Sequence, residues 1–118
     1  MDRIVYYDLE TTGLRPLYGS NGVEILSIGA CYKDPDTKSV RTFQNFMYPR
    51  HVEISQEAFN IHGLDYEELG ERGAIQPRTG IQQFLYWITE NPDSYQDIVL
   101  VWLRSYFLIG NEFIFILS

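Results

Sequence analysis

The first part of the chain consists of strand-like runs of residues separated by polar loop and turn segments. Three stretches rich in β-branched and aromatic residues follow one another, at 3–8, 23–32 and 39–47. A loop rich in Gly, Pro and Asn at 14–22 and a turn at 34–37 separate them. Consecutive strands joined in this way predict an antiparallel meander.

The spacing of apolar residues becomes helical after residue 49. Residues 55–61 predict a short helix, because Ser55 is a favourable cap residue and Gly63 follows the end of the segment. Residues 65–69 predict a further turn of helix.

A longer amphipathic helix is predicted from residue 77 to about residue 90. Its predicted apolar face has the spacing i, i+3, i+4 and i+7 and consists of Ile81, Phe84, Leu85 and Ile88. The Asn-Pro-Asp sequence at 91–93 ends the helix. Residues 97–102 then form an apolar run that is typical of a buried strand, so a fourth strand is expected there.

Composition and charge narrow the class of protein. The chain has 118 residues, of which 45% are apolar, and this indicates at most one domain, of the globular kind. Its single cysteine, Cys31, forms no internal disulfide and is predicted to be a small core residue. The formal net charge of −7 argues against a broad basic surface for duplex nucleic acid, since phosphates are contacted mainly by Lys and Arg.

Two carboxylates, Asp8 and Glu10, stand where the first predicted strand ends. Residues two apart on an extended chain point to the same side, so both carboxylates share one face. Paired carboxylates on a rigid strand can hold Mg²⁺ or Mn²⁺, which prefer oxygen ligands. The spacing alone also fits a solvated surface pair, and that alternative stays open at this point.

Residues 8–14 read Asp-Leu-Glu-Thr-Thr-Gly-Leu directly after an apolar strand. This sequence closely resembles the first motif of the DEDD 3′-5′ exonucleases, in their proofreading and three-prime repair branch. Residues 24–30 resemble the second strand of those enzymes, and residues 58–64 resemble the loop that follows their third strand. The resemblance covers roughly residues 3 to 101 in the expected order.

The resemblance implies an α/β fold of the ribonuclease-H-like (exonuclease) type, of which this chain would contain only the N-terminal part. That part comprises an antiparallel three-strand meander, helices and a fourth strand. We therefore expect residues 1–101 to be the N-terminal part of an exonuclease domain and residues 102–118 to be a divergent C-terminal tail.

The resemblance also implies the chemistry of the site. Members of this family hydrolyse phosphodiester bonds from the 3′ end of DNA or RNA with two divalent ions, Mg²⁺ or Mn²⁺. Asp8 and Glu10 match the first two catalytic, metal-binding carboxylates. Residues that match the pocket for the 3′ end are Thr11, Thr12, Gly13 and Leu14, and residues that match the loop near the terminal nucleotides are His62 and Gly63. Considered without the resemblance, a His beside a Gly is more often a structural hydrogen-bonding group, and His51 is expected to be merely exposed.

The sequence departs from the family pattern after Val101. The family's third carboxylate follows the fourth strand, and its fourth carboxylate and general base lie further on. Here the last Asp is Asp97 and the last His is His62. Glu112 is a weak substitute, because it precedes an apolar run instead of a helix.

Two classes of function therefore remain. The first is a 3′-5′ exonuclease that is inactive or weak when this chain acts alone. The second is a truncated, non-catalytic isoform that binds a nucleic-acid end or a protein. A homodimer or a partner chain that supplies the missing ligands stays a further alternative, and the sequence does not distinguish DNA from RNA.

A membrane location is not expected. Residues 98–117 are apolar, but they include Arg104, Asn111 and Glu112, and a charge near the centre of a spanning helix costs about 2.5 to 3.5 kcal/mol on insertion scales. The first apolar run is too short for a signal-peptide core. We therefore expect an intracellular protein, nuclear or cytoplasmic.

Overall fold

In the computed structural model the described residues are 2–13, 22–90, 97–103, 105–109 and 112–116. Leu14 and nearly all of the loop predicted at 14–22 lie outside the described residues, as do the helix-ending residues 91–93, Arg104 and Asn111.

Six strands and three helices follow one another along the described chain. Their bounds are β1 Arg3–Thr11, β2 Ile25–Lys33, β3 Val40–Phe46, α1 Gln56–His62, α2 Tyr66–Glu71, α3 Pro77–Ile88, β4 Ile98–Trp102, β5 Ser105–Ile109 and β6 Glu112–Ile116. The four strands and three helices predicted up to residue 102 are confirmed. Strand β1 continues three residues beyond its predicted end, so that Asp8 and Glu10 lie within the strand instead of at its end.

Helix α1 begins and ends where its cap residues predict. The Ser55 hydroxyl accepts a hydrogen bond from the amide of Ala58, as an N-cap residue does. Gly63 has a φ of 70°, the left-handed conformation that stops the helix and that glycine adopts without strain.

The first four strands form one mixed sheet in the order β3-β2-β1-β4. Strands β1 and β2, and β2 and β3, pair antiparallel, which confirms the meander, and β4 pairs parallel to β1. The three helices lie in the connection between β3 and β4, as a parallel pair of strands requires. Strands β5 and β6 pair with each other in a separate two-stranded antiparallel sheet, which the sequence did not predict.

One hydrophobic core lies between the sheet and α3, and a smaller one lies near α1 and α2. The first is formed by Val5, Ile28, Tyr32, Met47, Phe84 and Ile88. The second is formed by Leu26, Leu64 and Leu69, with Phe46, Tyr48, Ile54 and Ala74 packed around it. Because Val5 points into the first core, the even-numbered residues of β1 point away from α3 to the opposite face of the sheet.

The apolar face predicted for α3 is partly wrong. Helix α3 buries Gly80, Phe84 and Ile88, whereas Ile81 and Leu85 are 40% and 51% exposed. The helix is rotated because Trp87 packs against the rings of Tyr32 and Phe43, at centroid distances of 4.9 and 5.3 Å. Gly80 permits this close approach, since a Cβ atom there would lie 2.4 Å from the sulfur of Met47.

Strand β4 is not the buried strand that its composition predicted. Ile98, Val99, Leu100 and Trp102 are each between 39% and 49% exposed. The reason is position: β4 is an edge strand that pairs with β1 on one side, and among the described strands none pairs with its other side.

Arg3 connects the start of β1 to the end of α3. Its Nη1 atom donates a hydrogen bond of 2.9 Å to the carbonyl of Ile88, and its guanidinium lies 4.3 Å from the centroid of the Tyr32 ring. This cation is buried and lies at the opposite end of β1 from Thr11.

Candidate active site

Asp8 and Glu10 lie on the face of the sheet that α3 leaves uncovered. Directly paired residues of neighbouring strands point to the same side, and the pairing partners on β2 are Gly29 for Asp8 and Ser27 for Glu10. Both carboxylates are half-buried. Gly29 has no side chain, and this leaves the carboxylate of Asp8 without a β2 side chain directly opposite.

The electrostatics of the pair favour a bound cation. Burial raises the pKa of Asp8 to about 6, and the like charge of Glu10 adds to the shift, while a hydrogen bond from the backbone of Leu9 acts in the lowering direction. A raised carboxyl pKa means that the negative charge at Asp8 is incompletely compensated, and a divalent ion with oxygen ligands would compensate it. The donor set therefore fits a magnesium or manganese ion. Within the described ranges, no group of three or more His, Cys, Asp and Glu residues surrounds a common point.

Thr12 is the residue at which three segments of the chain meet. Its amide donates to the carbonyl of Glu24 at 2.9 Å, and its hydroxyl accepts from the amide of Glu24 at 3.0 Å. Its carbonyl accepts from the amide of Ser55 at 2.7 Å. The side chain is 1% exposed and holds these segments together from the interior, and the nucleotide contact that the resemblance implies for Thr12 stays a prediction.

A β-bulge precedes Thr12. The pairing between β1 and β2 shifts register between Glu10 and Thr11, so that Leu26 has no direct partner on β1 and enters the smaller core. The hydroxyl of Thr11 donates to the carbonyl of Gly13, which closes the turn after the strand. The bulge therefore changes the direction of the chain only after Glu10, and Asp8 and Glu10 keep regular pairing with β2.

His62 connects the end of α1 to the end of β1. Its Nδ1 atom accepts a hydrogen bond of 3.0 Å from the amide of Leu64. Its other ring nitrogen, Nε2, lies 2.9 Å from the carbonyl of Thr11, and because Nδ1 is the acceptor, Nε2 must carry the proton and donate. Both nitrogens are thus used internally. This geometry favours the structural interpretation of His62 and places the following Gly63 beside the end of β1.

Glu24 is a functional candidate that sequence reasoning missed. Its carboxylate accepts hydrogen bonds from the amides of Arg50, His51 and Val52, at 2.9, 2.8 and 2.7 Å. Desolvation is the largest single influence and raises the pKa of Glu24, but the three amides and the charge of His51 together outweigh it, so the pKa lies below its usual value. A sequence signal is hard to find, because an acidic residue at the start of a strand is common.

The uncovered face of the sheet also carries an open pocket of about 370 Å³. Residues of its wall that share this face include Tyr6, Gly29, Cys31, Thr42, Gln44 and Leu103. Cys31, predicted to be a core residue, is half-buried here instead, and burial raises the pKa of its thiol. Among the described residues, the pocket wall includes no charged side chain and offers no cation for phosphate.

The structure thus brings together most of the predicted site residues at one end of β1. His62 bonds to Thr11, Gly13 follows Thr12, and the carboxylates precede them on the same strand. Leu14 lies outside the described residues, and the backbone of Glu112 lies on β6 in the separate two-stranded sheet. His51 is exposed, as predicted.

A mixed sheet of this topology, with a carboxylate pair on its central strand β1 and helices in the β3 to β4 connection, defines an α/β protein of the ribonuclease-H-like type. The model of the exonuclease family, RNase_T, matches residues 5–97, which is most of the chain. The chain therefore belongs to the exonuclease family of the DEDD superfamily, whose members act on nucleic acids and generally use divalent metal ions.

A solved structure described as the crystal structure of a full-length 3′-exonuclease is similar to this chain, with a TM-score of 0.58 and 17% sequence identity. The match covers 84% of this chain and 45% of that one, so this chain spans less than half of that protein's length. At this identity the likeness concerns the fold. No curated protein matches the chain by sequence.

Among the described residues, no helix has the length and apolar character that crossing a bilayer requires.

Proposed function

We propose that this chain forms part of a 3′-5′ exonuclease domain, one that hydrolyses phosphodiester bonds starting from the 3′ end of DNA or RNA. The observation that carries the proposal is the carboxylate pair, Asp8 and Glu10, on one face of β1, with the pKa of Asp8 raised by burial and by its neighbour. Membership of the exonuclease family supports the same reaction.

Asp8 and Glu10 would hold the divalent ions, Mg²⁺ or Mn²⁺. When bound, such ions lower the pKa of a coordinated water and stabilise the charge on the leaving oxygen. The chain's own contribution is position. The sheet fixes both carboxylates on one face, since Asp8 and Glu10 pair with Gly29 and Ser27 of β2.

The residues around the end of β1 would receive the 3′-terminal nucleotide. Thr11, Gly13, His62 and Gly63 are proposed for this role, and Thr12 supports them from the interior. The fixed ring of His62 cannot easily exchange protons with a substrate, because both of its nitrogens are engaged in hydrogen bonds. We therefore assign His62 to positioning and not to base catalysis. Leu14 stays a prediction for the same pocket.

A second candidate function is a non-catalytic module that binds a nucleic-acid end. The engagement of both His62 nitrogens favours it, since the described site then offers a carboxylate pair and no accessible base. The first function would be restored if a second copy or a partner chain supplied the missing carboxylates and the general base.

The experiment that separates these functions is digestion of a 5′-labelled single-stranded oligonucleotide with Mg²⁺ or Mn²⁺. A ladder of products shortened from the 3′ end is expected for the exonuclease, and it should disappear in the double variant Asp8→Ala, Glu10→Ala. A folded protein that binds the oligonucleotide without shortening it would establish the binding module. Products that persist in the double variant would contradict the assigned site.

A further inference from the structure

A short segment after β3, residues 50–52, is attached to the end of β1 that carries the candidate site. The attachment runs through Glu24, whose carboxylate binds the three amides of the segment and whose backbone forms two hydrogen bonds with Thr12. Every link in this chain of contacts is a hydrogen bond between 2.7 and 3.0 Å. The position of the segment relative to β1 is therefore well defined.

The amides of the segment do the anchoring, and its side chains remain available. The side chains of Arg50 and His51 are exposed, and among the described residues Arg50 forms no ion pair. Two other arginines of the described residues are already engaged, since Arg41 pairs with Glu90 and Arg72 with Glu68. A carboxylate that accepts three amide hydrogen bonds is well compensated, so Glu24 repels a nearby phosphate less than an isolated carboxylate would.

Among the residues that the structure describes, location separates Arg50 from the exposed cations Lys33, Lys38 and Arg78. Lys33 ends β2 and Lys38 follows in the next turn, both at the end of the sheet away from Thr11, because β2 runs antiparallel to β1. Arg78 lies on α3, which covers the opposite face of the sheet from the carboxylate pair. Thr12 is two residues beyond Glu10, which corresponds to about 7 Å along a strand. Because Glu24 bonds both to Thr12 and to the segment at 50–52, that segment lies beside the carboxylate pair.

We infer that Arg50, with His51 beside it, contacts the phosphate backbone of a single-stranded nucleic acid upstream of its 3′-terminal nucleotide, and that Glu24 is the residue that positions this contact. The inference rests on the proposed function and names the group that would hold the substrate strand. In a protein with a formal charge of −7, strand binding depends on few cations, so a single well-placed arginine has a measurable effect.

The test measures binding and not hydrolysis. A 5′-labelled oligonucleotide with phosphorothioate linkages at its 3′ end is titrated with the full chain in Mg²⁺ at several salt concentrations, and fluorescence anisotropy is recorded. Arg50→Ala is expected to raise Kd by about two- to fivefold for any base sequence, since an exposed charge pair contributes up to about 1 kcal/mol. The slope of log K against log salt should fall by about 0.7, the value for one phosphate on a single strand.

Arg50→Lys should retain most of the affinity, and Arg78→Ala, which removes the same charge from the opposite face, should change neither Kd nor the slope. Unfolding temperatures should be equal for all these variants, because the Arg50 side chain is exposed and its amide is unchanged. Wild-type protein that binds no oligonucleotide would overturn the proposed function together with this inference. If the wild type binds and Arg50→Ala leaves Kd unchanged, the inference alone is overturned. The same holds if Arg78→Ala raises Kd as much as Arg50→Ala does.

Discussion

Asp8 is less stable as an anion in the folded chain than in the unfolded chain. Burial and the charge of Glu10 together raise its pKa from 3.8 to about 6. The folded state therefore binds a proton more tightly, and stability falls as the pH rises from about 4 through 6. A loss of stability from uncompensated negative charge is expected at a carboxylate pair whose role is to bind a cation.

We predict that Asp8→Asn raises the unfolding temperature of the metal-free protein at pH 7 and leaves it nearly unchanged below pH 4. The amide carries no charge and so removes the penalty that appears above the raised pKa. Added Mn²⁺ should stabilise the wild type at pH 7 and should not stabilise the variant. Thermal unfolding in EDTA and in Mn²⁺ across this pH range measures both effects, and equal Mn²⁺ stabilisation of the two proteins would exclude Asp8 as a ligand.

Glu24 shows the opposite dependence on pH. Its pKa in the folded protein lies below the usual 4.5, so it stabilises the fold above that pH and loses the effect as the pH falls through the lower folded value. We predict that Glu24→Gln lowers the free energy of unfolding at pH 7 by roughly 1 kcal/mol, because an amide oxygen replaces a charged acceptor of three amides.

The matched control for Glu24 is Glu53→Gln, which removes an exposed carboxylate from the same connecting segment. Denaturant unfolding at pH 7 and at acid pH compares the two variants. The difference in free energy of unfolding between wild type and Glu24→Gln should shrink at low pH. If it stays the same, the carboxylate charge is not the source of the effect.

Among the elements, α3 shows what the sequence can predict and what it cannot. The period of its apolar residues was sufficient to predict the helix, its start at Pro77 and most of its length. The period could not decide which of two overlapping stripes is buried. That choice depends on Gly80, which has no hydrophobic signal, and on rings of β2 and β3 that pack against Trp87.

Two neighbouring positions on α3 test the corrected face. Phe84 is 9% exposed and packs against Phe43 at a centroid distance of 5.5 Å, so Phe84→Ala should cost about 3 to 5 kcal/mol. Leu85→Ala should change stability by less than about 1 kcal/mol, because the side chain is half exposed. Urea unfolding of the two single variants measures the contrast. Similar losses at both positions would restore the face that the spacing predicts.

The same limit applies to the site. The carboxylates could be predicted because a strand places residues two apart on one side, and the motif in residues 8–14 could be matched to a family. Three other features could not be predicted from the sequence: the burial of Thr12, the proton position on His62 and the anchoring by Glu24. Each depends on contacts between segments that are far apart in sequence. Long-range hydrogen bonds leave no periodic pattern in a single chain.

The exposure of β4 affects the whole molecule. An edge strand whose side chains are apolar on both faces, Ile98, Val99, Leu100 and Trp102 among them, is a surface on which another strand can pair. The other edge of the sheet is protected, since β3 carries Arg41, Thr42, Gln44 and Asn45. Because none of the described strands pairs with the outer side of β4, we predict self-association through this strand, although the net charge of −7 opposes it at low salt.

We predict that Leu100→Lys lowers the fraction of associated protein while leaving the unfolding temperature within a few degrees of wild type. A charge at the middle of an exposed edge strand disfavours pairing with a second strand. Sedimentation velocity at two salt concentrations measures the associated fraction. Val40→Lys, at an exposed position of β3, is the control, and an equal reduction in that variant would indicate a general effect of charge.

The hydrogen bonds of Thr12 have a consequence for the order of folding. Thr12 meets Glu24, its neighbour across the β1 to β2 connection, and also Ser55, which lies beyond the whole meander. Closing the longer loop costs more chain entropy, so the meander can form before Ser55 arrives. The carboxylates would then stand on a formed strand before the segment at 55–62 arrives. Amide hydrogen exchange at Ser55 would report the moment when the site becomes complete.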